Sequence, residues 1–448
     1  MIILLAILLG YLSVEIINPD ISFLEKISVG IGIGVGVFTL LISFDAINGL
    51  MSASQIKQLF MIVVLTSLSA NFFLKKDLKK DSLIQIFKHK LTDISFLQIL
   101  FFIFIVLVST IMILWPIHAW DSLTLHDFRA NYLLEGKSLT EMSRINSLDQ
   151  GRESYYFSYP LLSTSINILS YMGGLSNPRV LYLLFSLSLM FIVYKYLIKA
   201  GLNKTFALAT VLLFISFPTV YQVMRVSYSN SVYLYYFIGS IIFLAYWFEN
   251  RKISYFLISL ILSIFSIQTR QQEPFFLSII LALIVFQLIH REKLFATLVY
   301  LLGTMASYVF WPGIKKFLNI SFPNKKISYV ESIILGFENF SIERLKIVAG
   351  FYFNSLVNSY SLVLILFIAS LAVNIYLLIK KKINIMSLLF PLIVFSILGI
   401  LFAGTYFLSF IFERWNQIPQ SFQRTALPII PLTIIHPILI IYSDKWRK

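Results

Sequence analysis

The sequence predicts an all-α, polytopic transmembrane helix bundle of about 13 spans, and three observations carry that prediction. First, 58% of the 448 residues are hydrophobic and 13% are charged, against roughly 25% charged in a soluble domain. Second, mean hydropathy is +0.84, and the apolar residues gather in runs close to the ~20 that a helix needs to cross the hydrocarbon core. Third, 42 Phe and 24 Tyr suit lipid-facing and interfacial positions. A soluble core this apolar would leave too little polar surface to cover it.

The first run, residues 1–17, lacks a basic n-region and reads as a span, not as a cleaved leader. Further runs follow at 27–47, 56–74, 94–115, 179–199, 205–222, 229–248, 253–270, 273–290, 294–312, 352–379, 385–406 and 425–442. No repeat period stands out among them.

The links between runs differ in charge. Basic residues cluster at Lys75, Lys76, Lys79, Lys80, Lys88 and Lys90, at Lys195, Lys199 and Lys204, and at Arg251 and Lys252. They recur at Arg291 and Lys293, at Lys380–Lys382, and at Lys445, Arg447 and Lys448. Placing the 75–90 link inside and alternating puts every cluster inside, as the positive-inside rule expects. Loops 116–178, 313–351 and 407–424 then lie outside. Lys315, Lys316, Lys325 and Lys326 run against the pattern, but long loops tolerate translocated charge. The net charge of +15 therefore orients the chain. It does not form the single basic face of a nucleic-acid binder. The absence of Cys excludes disulfides, thiolate nucleophiles and Cys-ligated metals.

Inside links are short and basic. Outside loops hold the acids, amides, aromatics and prolines, so any chemistry belongs to the outer face. The segment Trp120-Asp121-Ser122-Leu123-Thr124-Leu125-His126-Asp127-Phe128-Arg129 follows span 94–115 directly. An acid this near the bilayer is costly unless solvated, paired or used. Asp121 therefore reads either as a helix N-cap or as a catalytic or metal-binding carboxylate, flanked by Trp115 and Trp120. Asp127 and Arg129 read as an exposed pair or as further site residues. His118, Asp121, His126 and Asp127 together supply the donor types of a divalent metal site.

Three other segments stand out. Glu153-Ser154-Tyr155-Tyr156-Phe157-Ser158-Tyr159-Pro160 gathers aromatics that either belt the interface or stack on a sugar, and the apolar stretch 161–172 is too short to span and reads as interfacial. Gln268-Thr269-Arg270-Gln271-Gln272-Glu273-Pro274 is more polar than a turn between spans requires, and Arg270 suits a phosphate at the membrane surface. Phe422-Gln423-Arg424-Thr425-Ala426-Leu427-Pro428 opens the last span, with Arg424 placed either to snorkel or to meet a lipid phosphate. There is no P-loop and no G-x-G-x-x-G after a strand.

Together these segments resemble the GT-C glycosyltransferases, nearest the protein O-mannosyltransferase and lipid A aminoarabinose transferase type. The resemblance rests on an Asp just past a span, the Tyr-Pro-Leu-Leu segment, the Thr-Arg-x-x-Glu tip and the Arg-x-x-x-Pro-x-x-Pro stretch. It implies a seven-span module over 94–351, with outer loops 116–178 and 313–351. Residues 1–93 would be a three-span extension and 352–448 a C-terminal three-span region. It further implies an inverting transfer of sugar from a polyprenyl-phosphate carrier to a glycan, lipid or protein acceptor, on the outer face of a bacterial cytoplasmic membrane. Asp121 would be the general base, with Asp127 the next catalytic candidate. Arg270, Glu273, Arg424, Arg129, Tyr159 and His126 would line the donor site, with a divalent metal ion the one possible cofactor. The chain departs from the family where Ser122 follows Asp121 and where the tip Tyr228-Ser229-Asn230 carries no acid. A transporter or flippase, and an O-antigen-type polymerase or ligase, remain as alternatives.

Overall fold

In a computed structural model, the chain is described over residues 1–49, 52–74, 96–114, 120–145, 156–226, 228–271, 273–320, 329–411, 415 and 422–442. The 75–90 cluster, Trp115, His118, Glu153–Tyr155, Gln272, Lys325, Lys326 and Lys445–Lys448 lie outside the described residues. Every described element is helical. In chain order they are α1 (Ile2–Ile17), α2 (Phe23–Asn48), α3 (Ala53–Leu74), α4 (Phe96–Leu114), a π-helix π1 (Asp121–Asp127), α5 (Phe128–Leu134), α6 (Leu139–Ile145) and α7 (Leu162–Met172). There follow α8 (Arg179–Lys199), α9 (Lys204–Ser216), α10 (Pro218–Arg225), α11 (Ser229–Asn250), α12 (Ile253–Thr269), α13 (Phe276–Ile289) and α14 (Phe295–Phe317). The last are α15 (Tyr329–Glu338), α16 (Ile342–Ile379), a 3-10 turn (Ile385–Leu388), α17 (Leu389–Leu408), α18 (Phe422–Thr425) and α19 (Ile429–Tyr442).

Among the described residues each of the thirteen apolar runs forms helix, but they are not equal as spans. Among the described residues six helices are long and apolar enough to cross a membrane: 23–47, 179–199, 229–250, 295–317, 342–379 and 385–408. These mark the chain as an integral membrane protein. The run read as one span at 205–222 is a pair of helices, α9 and α10, bent by 70°, which makes a seventh crossing if the pair counts as one broken span. Pro218 opens α10, and a proline both starts a helix readily and cannot continue the one before it. Six more runs form apolar helices of 10–17 residues.

The helices group into two compact units. Unit 1 comprises Met1–Ile198, Asn203–Gln271 and Ser307–Ile320. Unit 2 comprises Lys199–Leu202, Gln272–Ala306 and Ser321–Lys448.

In unit 1 the N-terminal helices are part of the core, because α2 carries glycine at every second position from Gly30 to Gly36. Gly30 and Gly34 meet α1 backbone to backbone: a Cβ at Gly34 would strike the carbonyl of Ala6, and one at Gly10 the carbonyl of Gly30. Gly32 and Gly36 face the other way, against the rings of Tyr235 and Phe265. Such close approach, open only to glycine, lets the Tyr236 hydroxyl donate to the Gly32 carbonyl at 2.7 Å and the Tyr235 hydroxyl to that of Ser28 at 2.6 Å. Helix α11 is buried from Ser229 to Phe248, on every face, as a central helix is.

The stretch 161–172, expected at the interface, forms helix α7, which is buried among other helices. All of Leu162–Ser170 is buried, enclosed by α1, α2, π1, α5 and α12. Unit 2 differs in exposure. Along α16, Leu362, Ile365, Leu366 and Ile368 are exposed, which suits lipid. Its buried contacts with α19 include a closed polar set. His436 Nδ1 meets Ser370 Oγ at 2.9 Å, and Asn374 Nδ2 donates to His436 Nε2 at 3.0 Å.

Candidate functional site

Two contacts define the opposite ends of unit 1. At one end, Lys252 Nζ pairs with Asp20 Oδ2 at 2.7 Å, bringing the link after α1 beside the link after α11. At the other, the Thr140 hydroxyl donates to the Ile47 carbonyl at 2.7 Å, bringing the end of α2 beside the loop helices. Both agree with the alternation read from the charge pattern, which put each pair of links on one side.

The predicted site residues of unit 1 gather at the second end. Arg270 caps the C-terminus of α12 in an extended conformation, φ −146° and ψ 88°, and is buried. Its Nη1 donates to Ser229 Oγ at 3.1 Å and Asn230 Oδ1 at 3.0 Å. The guanidinium lies over the Tyr159 ring, 5.1 Å from the centroid. Tyr159 in turn packs on His126, with ring centroids 6.1 Å apart. The tip Ser229-Asn230, notable in sequence only for lacking an acid, is thus what fixes the arginine.

Arg129 does not stand at the surface. It is fully buried, and its Nη1 donates to the carbonyls of Tyr156 at 3.0 Å and Tyr159 at 2.9 Å. Its Nη2 reaches the Pro160 carbonyl at 3.3 Å and His126 Nδ1 at 3.4 Å. The role this geometry gives it is to hold the turn 156–160 against α5. Trp311 Nε1 secures the same turn by donating to the Phe157 carbonyl at 3.0 Å.

His126 is 1% exposed. Burial, then the charges of Arg129 and Arg270, hold its imidazole well below the ordinary value, so it is neutral. Asp127 is half-buried and receives the Tyr171 hydroxyl on Oδ1, with Asn131 Nδ2 at 3.4 Å from Oδ2. Burial and Asp127 together push the Tyr171 phenol well above its usual range. Asp127 thus anchors π1 to α7.

Asp121 is the first residue of π1 and half-buried. Trp120 before it is already helical, φ −50° and ψ −56°, so Asp121 is not at the extended position of an N-cap. Trp120 is 69% exposed. In a π-helix the bonding runs i to i+5, which stacks Asp121 one turn from His126. Such helices are rare and concentrate at functional sites, and no residue type in the segment foretells one.

Glu273 and Arg424 belong to unit 2. The 268–274 tip read as one element is divided, with Gln271 in unit 1 and Glu273 in unit 2. Glu273 is buried, its carbonyl accepting from the Phe275 N–H at 2.8 Å. Arg424 is exposed on α18. The Gln423 carbonyl beside it accepts from the Tyr360 hydroxyl at 3.0 Å. No group of three or more His, Asp and Glu side chains able to hold a metal occurs among the described residues.

Comparison with family models, curated proteins and solved structures finds no match to this chain.

Proposed function

We propose that this protein is an inverting membrane glycosyltransferase that moves a sugar from a polyprenyl-phosphate carrier to an acceptor hydroxyl on the outer face of the membrane. The observation that carries the reading is Arg270: a buried guanidinium at a helix end, oriented by Ser229 and Asn230 and seated over Tyr159. A fixed arginine at that position suits a phosphate, and the Tyr159 ring beside it suits a sugar face. The resemblance to GT-C enzymes supports the same assignment. Asp121 takes the proton of the acceptor hydroxyl as its oxygen attacks the anomeric carbon. The bond from that carbon to the carrier phosphate breaks, and the phosphate leaves with the electron pair, its charge met by Arg270. His126, neutral, packs on Tyr159, the ring over which Arg270 sits. Arg129 acts by holding the turn that carries Tyr159.

Transport is the alternative reading, and the bent pair α9 and α10 is the feature that would serve it. The test is to supply the purified protein with radiolabelled polyprenyl-phosphate hexoses and pentoses together with crude envelope acceptors. Label passing from carrier to acceptor supports the reading. Label staying on every carrier, with translocation of the intact lipid, contradicts it.

A further inference from the structure

Helix α7 begins in a buried place without a capping side chain: its N-cap is Leu161, which makes no side-chain cap bond. The first N–H groups of a helix have no partner within it, and burial denies these ones bulk water. The side chains there are also unsatisfied. Ser163 Oγ, Thr164 Oγ1 and Ser165 Oγ are buried with no hydrogen-bond partner, as is His126 Nε2. In a folded protein such groups need an explanation, an unseen water or ion among them.

The usual escape for a buried helical serine is to donate to the carbonyl four residues back. Ser170 does so in this same helix, to Ile166 at 2.8 Å. Ser163 and Thr164 stand in the first turn, where no preceding helical turn supplies those carbonyls; Ser165 has the Leu161 carbonyl four residues back, already taken by its own N–H at 2.7 Å, and its hydroxyl does not use it. Because Cα–Cβ bonds tilt toward a helix's N-terminus, the hydroxyls of Ser163 and Thr164 lean toward the free N–H groups at that end, with Ser165 just behind them. His126 is tied to the same place: it packs on Tyr159, two residues before Leu161. Arginine only donates, so the Arg129 contact makes His126 Nδ1 the acceptor and leaves the proton on Nε2. Nε2 is thus a buried donor. Asn167 Oδ1 also lacks a partner, but it lies one turn further along and outside this set.

Hydroxyls, an imidazole N–H and helix N–H groups all have protons to give. A donor set of this kind at the positive end of a helix dipole fits an oxyanion. We infer that the first turn of α7, with His126, is a binding site for a phosphoryl group. In its lipid form the inference rests on the carrier reading above and names the second place where the carrier's phosphate is held. As a phosphate site it stands apart from any sugar transfer.

The test uses the full chain in nanodiscs and reads thermal unfolding against added probe. Inorganic phosphate is one probe, and polyprenyl phosphate against uncharged polyprenol is the other. The wild type is expected to be stabilised by polyprenyl phosphate over polyprenol. A parallel response to inorganic phosphate would show that the headgroup alone suffices. The double variant Ser163→Ala, Ser165→Ala removes two unsatisfied hydroxyls. It should melt no lower than wild type without ligand, yet bind phosphate roughly tenfold or more weakly. Thr164→Val and His126→Gln give the same comparison should the double variant fail to fold: Thr164→Val should lose affinity, and His126→Gln, which keeps a donor, should lose less. Response to inorganic phosphate but not to the lipid would keep the site and overturn the carrier reading. No response to either phosphate, or unchanged affinity in folded Ser163→Ala, Ser165→Ala, would overturn the inference.

Discussion

The guanidinium of Arg270 lies 5.1 Å from the centre of the Tyr159 ring, although the two residues are far apart in sequence. That pairing joins the tip after α12 to the turn after α6, and it draws Ser229, Asn230, His126 and Arg129 to the same end of unit 1.

Arg270 therefore has both a binding and a structural part. Replacing it with Ala leaves Ser229 and Asn230 without their donor, which costs about 1–3 kcal/mol of stability. Arg270→Ala should lower the melting temperature modestly and weaken binding of polyprenyl phosphate far more, by at least tenfold. Arg270→Lys should restore much of the stability and little of the binding, since an ammonium cannot reproduce the fork. Melting and lipid titration on the two variants decide it.

His126 should make stability depend on pH. Its folded value is depressed by burial and by Arg129 and Arg270, whereas an unfolded imidazole titrates near 6.5. Below that pH the unfolded chain takes up a proton that the folded chain refuses, so stability is full above about 6.5 and is lost as pH falls. The slope cannot exceed about 1.4 kcal/mol per pH unit from this one group. Melting between pH 7.5 and 5 should fall more steeply in wild type than in His126→Asn. Equal slopes would mean that the imidazole is not what senses the pH.

The glycines of α2 make a sharp pair of outcomes with a glycine elsewhere. Gly34→Leu forces a side chain into the Ala6 backbone and should cost at least about 3 kcal/mol, the upper end for overpacking. Gly399, exposed in α17, has nothing near a would-be Cβ. Gly399→Ala should be neutral or stabilising by up to about 1 kcal/mol. Thermal melts of the two in the same detergent give the comparison.

Sidedness can be read with single cysteines, because the chain has none of its own. Lys137 is exposed near the end of unit 1 that holds Arg270, and Asn250 near the end that holds Lys252 and Asp20. An impermeant thiol reagent added outside cells should label Lys137→Cys and spare Asn250→Cys. The reverse pattern would place the candidate site on the inner face.

The helices were legible because a long apolar run has one physical solution in a bilayer, although their ends were not: the helix read as starting at 352 begins at Ile342, and the run 205–222 breaks at Pro218. The gathering of Arg270 and Tyr159 was foreshadowed only as two polar loops on the same side. What the sequence hides is whatever depends on contacts across long stretches of chain. Arg129 reads as a surface cation, yet it is buried because the 156–160 turn offers it three carbonyls. The 162–172 stretch reads as interfacial from its length, yet its small residues Ser163, Thr164, Ser165 and Ser170 let neighbouring helices close around it. The π-helix at Asp121 and the division of the 268–274 tip between two units have no local signature at all.

Asp121 carries the central claim, that this is a transferase with a single carboxylate as its base. Asn has the same size and can still accept a hydrogen bond, but it cannot take the acceptor's proton. Since Trp120 is already helical, removing a cap is not at issue, and Asp121→Asn should fold as wild type does. The decisive measurement is sugar transfer from radiolabelled polyprenyl-phosphate sugars by wild type and Asp121→Asn, matched for melting temperature and carrier binding. The account predicts that turnover falls on the order of 100-fold or more while binding holds. Near-normal transfer by a well-folded Asp121→Asn would contradict it and pass the role of base to Asp127.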